Sequence, residues 1–331
     1  MERHLPSLLL LAGTLLASNS SSAQGCSDAG VCTAGPIGEL YVATDSLATS
    51  NEPRHMVRLS YSYAIGERGV MVQQIVPELA WGFTERWGVQ VKVPYMSASG
   101  NLGSNSGLSD PTLTTSYAFI AERERRLQAV VGVKIPVGDA NVLADEISTA
   151  QMTRSLPMPY QTSLGTTDLL LGLAYRHKRI TTTLAYQHVL ANNNRNGFRH
   201  SAWMDDMDAL GYFESWELVR ANDAVARLQY AIPIGKLAVQ PGLLAIYHTA
   251  KDQRLEAIPS ENGGILEPRL VAVDGSEGPT LNLTLDARYR FNAHWALELA
   301  YGSPLLVRSE RPDGLTRSMV LSLGLAHRFG K

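Results

Sequence analysis

Between residues 284 and 298 the chain places Asp286, Arg288 and Arg290 at alternate positions and adds Glu298 after the next turn. Side chains two apart share one face of an extended strand, so these four charges would line a common surface. Fixed charge arranged this way suits a polar constriction with a charge preference. The structural alternative is that opposite charges facing one another across a narrow space pair and fill it. The same face of other segments supplies Gln74, Glu78, Gln90, Lys92, Lys134, Arg227, Gln240 and His248, with Arg176, Gln187, Gln229 and Arg328 beside them. Catalysis has thin support: a hydrolase needs a serine and a histidine base within hydrogen-bond reach. His188 has no serine at a suitable spacing, and His200 and Ser201 are sequence neighbours in a loop. Asp205, Asp206 and Asp208 read as a solvated acidic loop, with surface calcium as the alternative. We expect no enzyme, no metal and no cofactor.

Only strands can present such rows. Leu281, Leu283, Leu285, Ala287, Tyr289 and Phe291 oppose Thr280, Asn282, Thr284, Asp286, Arg288 and Arg290, a period of two that no amphipathic helix gives. The last stretch, 318–329, sets Met319, Leu321, Leu323, Leu325, His327 and Phe329 against Val320, Ser322, Gly324, Ala326 and Arg328. Twelve segments alternate in this way from His55 onward. After the first hairpin, their connections are short turns at one end and longer loops at the other. Aromatic residues gather at both ends, Trp81, Trp87, Tyr117, Phe291 and Trp295 at one and Tyr61, Tyr95, Tyr186 and Tyr301 at the other, as two interfacial girdles require. The fold expected is all-β, an antiparallel transmembrane barrel of about 12 strands over residues 55–331, with short periplasmic turns and long extracellular loops. Residues 97–107 read as a Gly/Ser-rich loop, and 206–219 as a short helix within the loop from 191 to 222. That loop carries Phe198, Trp203, Tyr212, Phe213 and Trp216, candidates for admitting a hydrophobic solute or for packing on one another.

The start of the chain sets the compartment. Arg3 and His4 precede an apolar run, Leu8 to Leu16, and Ser21-Ser22-Ala23 offers small residues for cleavage, so 1–23 reads as a signal peptide. Residues 24–54 would form a periplasmic segment whose Cys26 and Cys32 close a small disulfide loop in an oxidising compartment, lipidation of Cys26 being the alternative. A net charge of -2 with both signs dispersed gives no nucleic-acid footprint. A mean hydropathy of -0.07 is ordinary for a soluble protein, yet half of every barrel strand is polar, so such averages do not exclude a barrel.

The residues also carry a family resemblance. Gly107-Leu-Ser-Asp-Pro-Thr-Leu-Thr-Thr-Ser-Tyr117, Val131-Gly-Val-Lys-Ile-Pro-Val-Gly138 and Gly165-Thr-Thr-Asp-Leu-Leu-Leu-Gly-Leu-Ala-Tyr175 resemble strand starts in outer-membrane barrels grouped with phenol meta-pathway degradation, distant relatives of toluene and fatty-acid channels. The pattern from Ser322 to Phe329 is similar to the C-terminal signal read by the barrel-insertion machinery. The resemblance implies a channel or transporter for small solutes, hydrophobic or aromatic compounds among them, in the outer membrane of a Gram-negative bacterium. It supplies no site residues. A closed structural barrel with binding loops, and an outer-membrane lipase, are the alternatives.

Overall fold

A computed structural model describes residues 54–144, 154–204, 206–259, 266–315 and 317–330. The expected leader, Cys26 and Cys32 lie outside these residues. Twelve antiparallel strands form the wall. They are β1 (His55–Gly66), β2 (Met71–Gly82), β3 in two pieces (Trp87–Lys92 and Tyr95–Gly100), β4 in two pieces (Gly103–Leu108 and Thr112–Ala121), β5 (Arg125–Lys134) and β6 (Thr166–His177). The circuit continues through β7 (Ile180–Asn192), β8 (Asp223–Tyr230), β9 (Leu237–His248), β10 (Gly278–Arg290), β11 (Trp295–Leu306) and β12 (Arg317–Phe329). Each pairs with its sequence neighbours, and β1 closes the circuit on β12 with Leu59 opposite Leu325 and Ser60 opposite Gly324. Closure removes both sheet edges, the condition for a sheet to span lipid.

The alternation in the sequence becomes an inside and an outside. On β12, Leu321, Leu323 and Leu325 are exposed on the outer wall, while Ser322 and Ala326 are buried toward the lumen. On β1, Val57, Leu59 and Tyr61 face out and Arg58, Ser60 and Ser62 face in. Aromatic contacts mark the short-turn rim: Trp81 stacks on His55, Phe83 on Trp87, and Tyr289 meets Phe291 edge-on. This is where amphipathic rings settle at a membrane interface.

Two strands are broken for a stated reason. Pro94 interrupts β3 and Pro111 interrupts β4, because proline has no N–H for the ladder. The wall stays continuous through their carbonyls: Ser109 N–H donates to Pro94 O (2.8 Å) and Ile135 N–H to Pro111 O (3.1 Å).

Two local expectations are corrected. Residues 97–107 are a hairpin, with Ser97 opposite Ser106 and only Asn101 and Leu102 turning between the strands. Small polar residues suffice there because the inner face packs on a folded-in loop. Within 206–219 only Ala209–Gly211 forms a turn of 3₁₀-helix. In addition, the connection from β9 to β10 carries an outlying hairpin, Gln253–Pro259 paired with Leu266–Ala272.

Candidate functional site

Among the described residues the lumen side holds three charged clusters and several apolar ones, among them an inward patch of Val130, Leu170, Ala185, Val225 and Leu244 on β5–β9. The first forms a belt along one side of the barrel, from β8 through β11 to β1–β3. Arg58 on β1 donates to Glu78 on β2 (2.6 Å) and to Glu298 on β11 (3.0 Å). Glu78 also accepts from Gln90 and faces Lys92 at 3.7 Å, both on β3, while Glu298 accepts from Arg288 on β10 (2.7 Å). Beside it, Asp286 accepts from Arg227 and from Gln229, each at 2.6 Å, and Gln229 leads to Gln240 at 3.5 Å. Arg58 and Glu298 meet across β12 because the intervening inward position is Gly324. A Cβ there would already touch Ser60, Arg58 and Glu298, at 3.4–3.8 Å. One planar guanidinium thus bridges two carboxylates, each through a separate nitrogen.

The second cluster lies toward the long-loop end. Lys134 is fully buried and faces Asp168 at 2.9 Å, Asp110 at 3.6 Å and the Thr166 hydroxyl at 3.1 Å. Gln187 completes Asp168, and Asp110 accepts from the backbone N–H groups of Val137 and Gly138, where the chain leaves β5. The third sits at the long-loop rim. His248 places Nδ1 2.6 Å from Asp223 and Nε2 2.7 Å from Asp252. Arg220 pairs with Asp223 and Asp313, and Arg308 with Asp313 at 2.9 Å. Buried charge is stable only when paired and hydrogen-bonded in this way. The third cluster also joins three connecting segments to the strand ends.

The fourth cluster is an apolar cap. Residues 154–164 fold into the long-loop mouth and bring Leu156 and Tyr160 against the inward faces of Ala64, Val72, Met96 and Ala98. The 193–222 connection adds Phe198, Trp203, Ala209 and Tyr212 to the same core. The two segments are joined by polar contacts at the edge of that core. Tyr160 and Tyr212 hydroxyls lie 3.0 Å apart, the Trp203 indole donates to Ser155 O, and Asn196 donates to both Ala140 O and Leu156 O.

All the inward-facing candidates therefore lie on the lumen side, but they divide. Glu78, Gln90, Lys92, Gln74, Gln240 and Arg227 are buried around the belt, with Asp286, Arg288 and Glu298 partly open beside them. Lys134 and His248 belong to the other two clusters, and Arg290 lies below the belt at the last residue of β10. Of the loop aromatics, Phe198, Trp203 and Tyr212 are interior to the cap. Phe213 and Trp216 are half-buried at its surface, under the guanidinium groups of Arg311 and Arg199. Sequence reading missed Arg58, Asp110, Asp168, Arg220, Asp252, Arg308 and Asp313. Arg58 and Asp168 had a signal, since Arg58 alternates with Ser60 and Ser62 and Asp168 shares a face of its strand with Arg176; the loop residues Asp110, Arg220, Asp252, Arg308 and Asp313 had none, because no period places them. The cap also had a signal, in that inward positions turn from charged to small and apolar at Ala64, Val72, Met96 and Ala98.

The two histidines weighed for hydrolase chemistry lie in different surroundings. His188 points outward beside Tyr186, and His200 sits 2.9 Å from the Tyr212 carbonyl and 3.8 Å from Glu214. Asp206 accepts from the N–H groups of Asp208 and Ala209, while Asp205 is outside the described residues.

No protein-family model and no curated protein matches this chain. Among solved structures, the chain is similar to an outer-membrane channel from Pseudomonas putida F1, with 17% identity, a TM-score of 0.53, and coverage of 86% of this chain and all of that one. The monoaromatic hydrocarbon channel CymD is matched at 11% identity and a TM-score of 0.41, over 93% of this chain and 98% of that one. The KdgM porin is matched at 8% and 0.41, over 83% and 99%. At these identities the likeness is one of fold: a closed outer-membrane-type barrel.

Proposed function

We propose that this chain is an outer-membrane channel for small solutes, sited in a Gram-negative bacterium and exported through the leader at 1–23. The observation that carries the reading is the belt of Arg58, Glu78, Glu298, Arg288, Asp286 and Arg227, a charged arc on the lumen side of a wall whose outer face is apolar. A barrel needing only to be stable could fill its core with apolar side chains, since a buried ion pair is no more stabilising than a well-packed hydrophobic replacement. Fixed charge lining a lumen has a use where ions and polar solutes pass. The fold likeness to a channel structure, over 86% of this chain and all of that one, supports the same reading. Phe213 and Trp216 at the cap surface, with exposed Met204, Met207 and Leu210, would first meet a hydrophobic or aromatic solute. That solute class and the meta-pathway resemblance stand together as part of the proposal. So do insertion through the β12 signal and a Cys26–Cys32 disulfide in the periplasmic 24–54 segment.

A second reading, a closed barrel with binding loops, is favoured by the cap core and by the close pairing of lumen charges. Single-channel recording of refolded residues 24–331 in planar bilayers separates the two. Discrete conductance steps are expected of the channel; a folded barrel that gives none under any voltage overturns it in favour of the closed barrel.

A further inference from the structure

The outer wall is not evenly filled. Close to the short-turn rim, one row of outward positions runs Trp87, Tyr117, Ala129 and Leu173 across β3 to β6, each opposite the next in register. Three bulky side chains and an alanine leave a gap at Ala129. One pleat further from the rim, Thr115 opposes Val131 and extends that gap along the wall. The result is a mostly apolar groove of about 550 Å³, bordered by Thr84 and Arg86 at the rim and by Trp87, Tyr117, Ala129 and Val131 above. Sites for small ligands enclose roughly 300–1,000 Å³. The groove walls are held in place: the Trp87 indole donates to the Thr115 hydroxyl at 2.9 Å and stacks on Phe83 at 4.5 Å between ring centres. The rim end carries donors. Thr84 Oγ1 accepts from the backbone N–H groups of Arg86 (3.2 Å) and Trp87 (3.0 Å), which fixes the hydroxyl and leaves its proton to donate. Arg86 is exposed, and no described carboxylate pairs with it. Glu85 on the same turn is exposed and does not line the groove, while Glu122 on the β4–β5 turn is engaged by Arg125 at 2.8 Å.

We propose that this groove binds an anionic phospholipid of the periplasmic leaflet, with its phosphate at Arg86 and Thr84 and an acyl chain laid between Trp87, Tyr117 and Val131. The inference rests on the barrel fold and not on conduction. The groove starts at the height of the aromatic rim, where headgroups lie, and climbs the wall in the direction an acyl chain takes toward the bilayer interior. A forked guanidinium matches two oxygens of a phosphate, and the Thr84 hydroxyl supplies a further donor beside it. A headgroup with net negative charge fits this end better than a zwitterionic one, whose own ammonium would be brought up to Arg86. Exposed Leu113, Val131, Leu171 and Leu173 around the groove make lipid, rather than water, its surroundings.

The test is native mass spectrometry of refolded residues 24–331 in detergent, titrated with phosphatidylglycerol and with phosphatidylcholine of the same acyl chains. The barrel should retain a single phosphatidylglycerol about tenfold more tightly than phosphatidylcholine. Arg86→Gln should erase that preference, and Arg86→Lys should keep part of it. Ala129→Leu fills the groove with a side chain of the kind its neighbours carry, and should weaken retention of both lipids while the β-sheet circular dichroism stays that of the parent. Ala129→Val should do the same to a lesser degree. Equal retention of the two lipids by the parent, or a preference that survives Arg86→Gln, overturns the proposal in favour of unselective annular lipid. Retention untouched by both Ala129 variants puts the lipid elsewhere on the wall and overturns it as well. A dimer of barrels that lipid does not displace, and that Ala129→Leu abolishes, makes a second copy of the chain the occupant instead. Absence of conductance steps with an intact lipid preference overturns the channel reading and leaves the lipid site standing.

Discussion

Arg58 shows how much one side chain can organise. It bridges Glu78 and Glu298, and without it Glu78 would keep Lys92 at 3.7 Å and Glu298 would keep Arg288 at 2.7 Å, while the direct link between the two carboxylates would be lost. Arg58→Met should destabilise the barrel by about 3–5 kcal/mol, the cost typical of breaking a buried pair from one side. Urea unfolding in liposomes measures this, and a loss below about 1 kcal/mol would mean the belt is hydrated rather than sealed. Glu67, in the turn between β1 and β2, behaves differently. Burial pushes its carboxyl up from an ordinary 4.5 to about 7, against the opposing pull of Arg311 3.6 Å away. The folded protein then holds this proton more tightly than the unfolded chain does, so stability falls as pH rises from about 4.5 to about 7 and is level above. Glu67→Gln should abolish that slope and be the more stable form at pH above 7, by up to about 3 kcal/mol. An unchanged slope in the variant, from unfolding at a series of pH values, would assign it to another group.

At the scale of elements, β12 works because one position is empty. Gly324 lets Arg58 and Glu298 meet, and its Cβ contacts would be ordinary van der Waals distances, so Gly324→Ala should be nearly neutral. Gly324→Leu would occupy the path of the Arg58–Glu298 bridge and should cost about as much as losing Arg58. The same unfolding measurement compares them, and equal stability of the two variants would show that the bridge can re-route. The cap is a separate element built on Trp203, Phe198 and Tyr160. Trp203→Ala should remove about 3–5 kcal/mol from its packing and expose residues 154–164 to protease while the wall stays intact. If the cap restricts passage, the variant's conductance rises as well. Cleavage unchanged from the parent protein would mean that the polar contacts of Asn196 and the Tyr160–Tyr212 hydroxyl pair hold the cap without Trp203.

The whole molecule is a tube with an apolar exterior, a charged interior and unequal ends. The exterior asks for lipid: Leu323, at the middle of β12, is 48% exposed among Leu321 and Leu325. Leu323→Arg should lower stability in liposomes by about 2–4 kcal/mol, as for a cation near the bilayer midplane. A neutral effect would move the membrane boundary away from this height. The ends differ because short turns fix the strands at one rim, whereas described stretches of the longer connections, 154–164 and 206–222 among them, fold back and pack at the other.

By itself, the sequence determined the wall. A period of two is enforced along each strand by side-chain geometry, so the inward set from Gln74 to Arg328, the twelve-strand count and the aromatic rims were all legible. The hairpin at 97–107 escaped because Gly and Ser carry loop composition and no hydrophobic period, and its pairing comes from the β2 and β4 partners. Neighbouring strands in register bring Arg58 to Glu78 and Arg288 to Glu298, but only closure joins the two pairs. Arg58 and Glu298 lie 240 residues apart and touch because β1 and β11 both flank β12 in the closed ring. The cap likewise depends on loops that obey no period and acquire their places by filling a mouth whose width only the closed barrel defines.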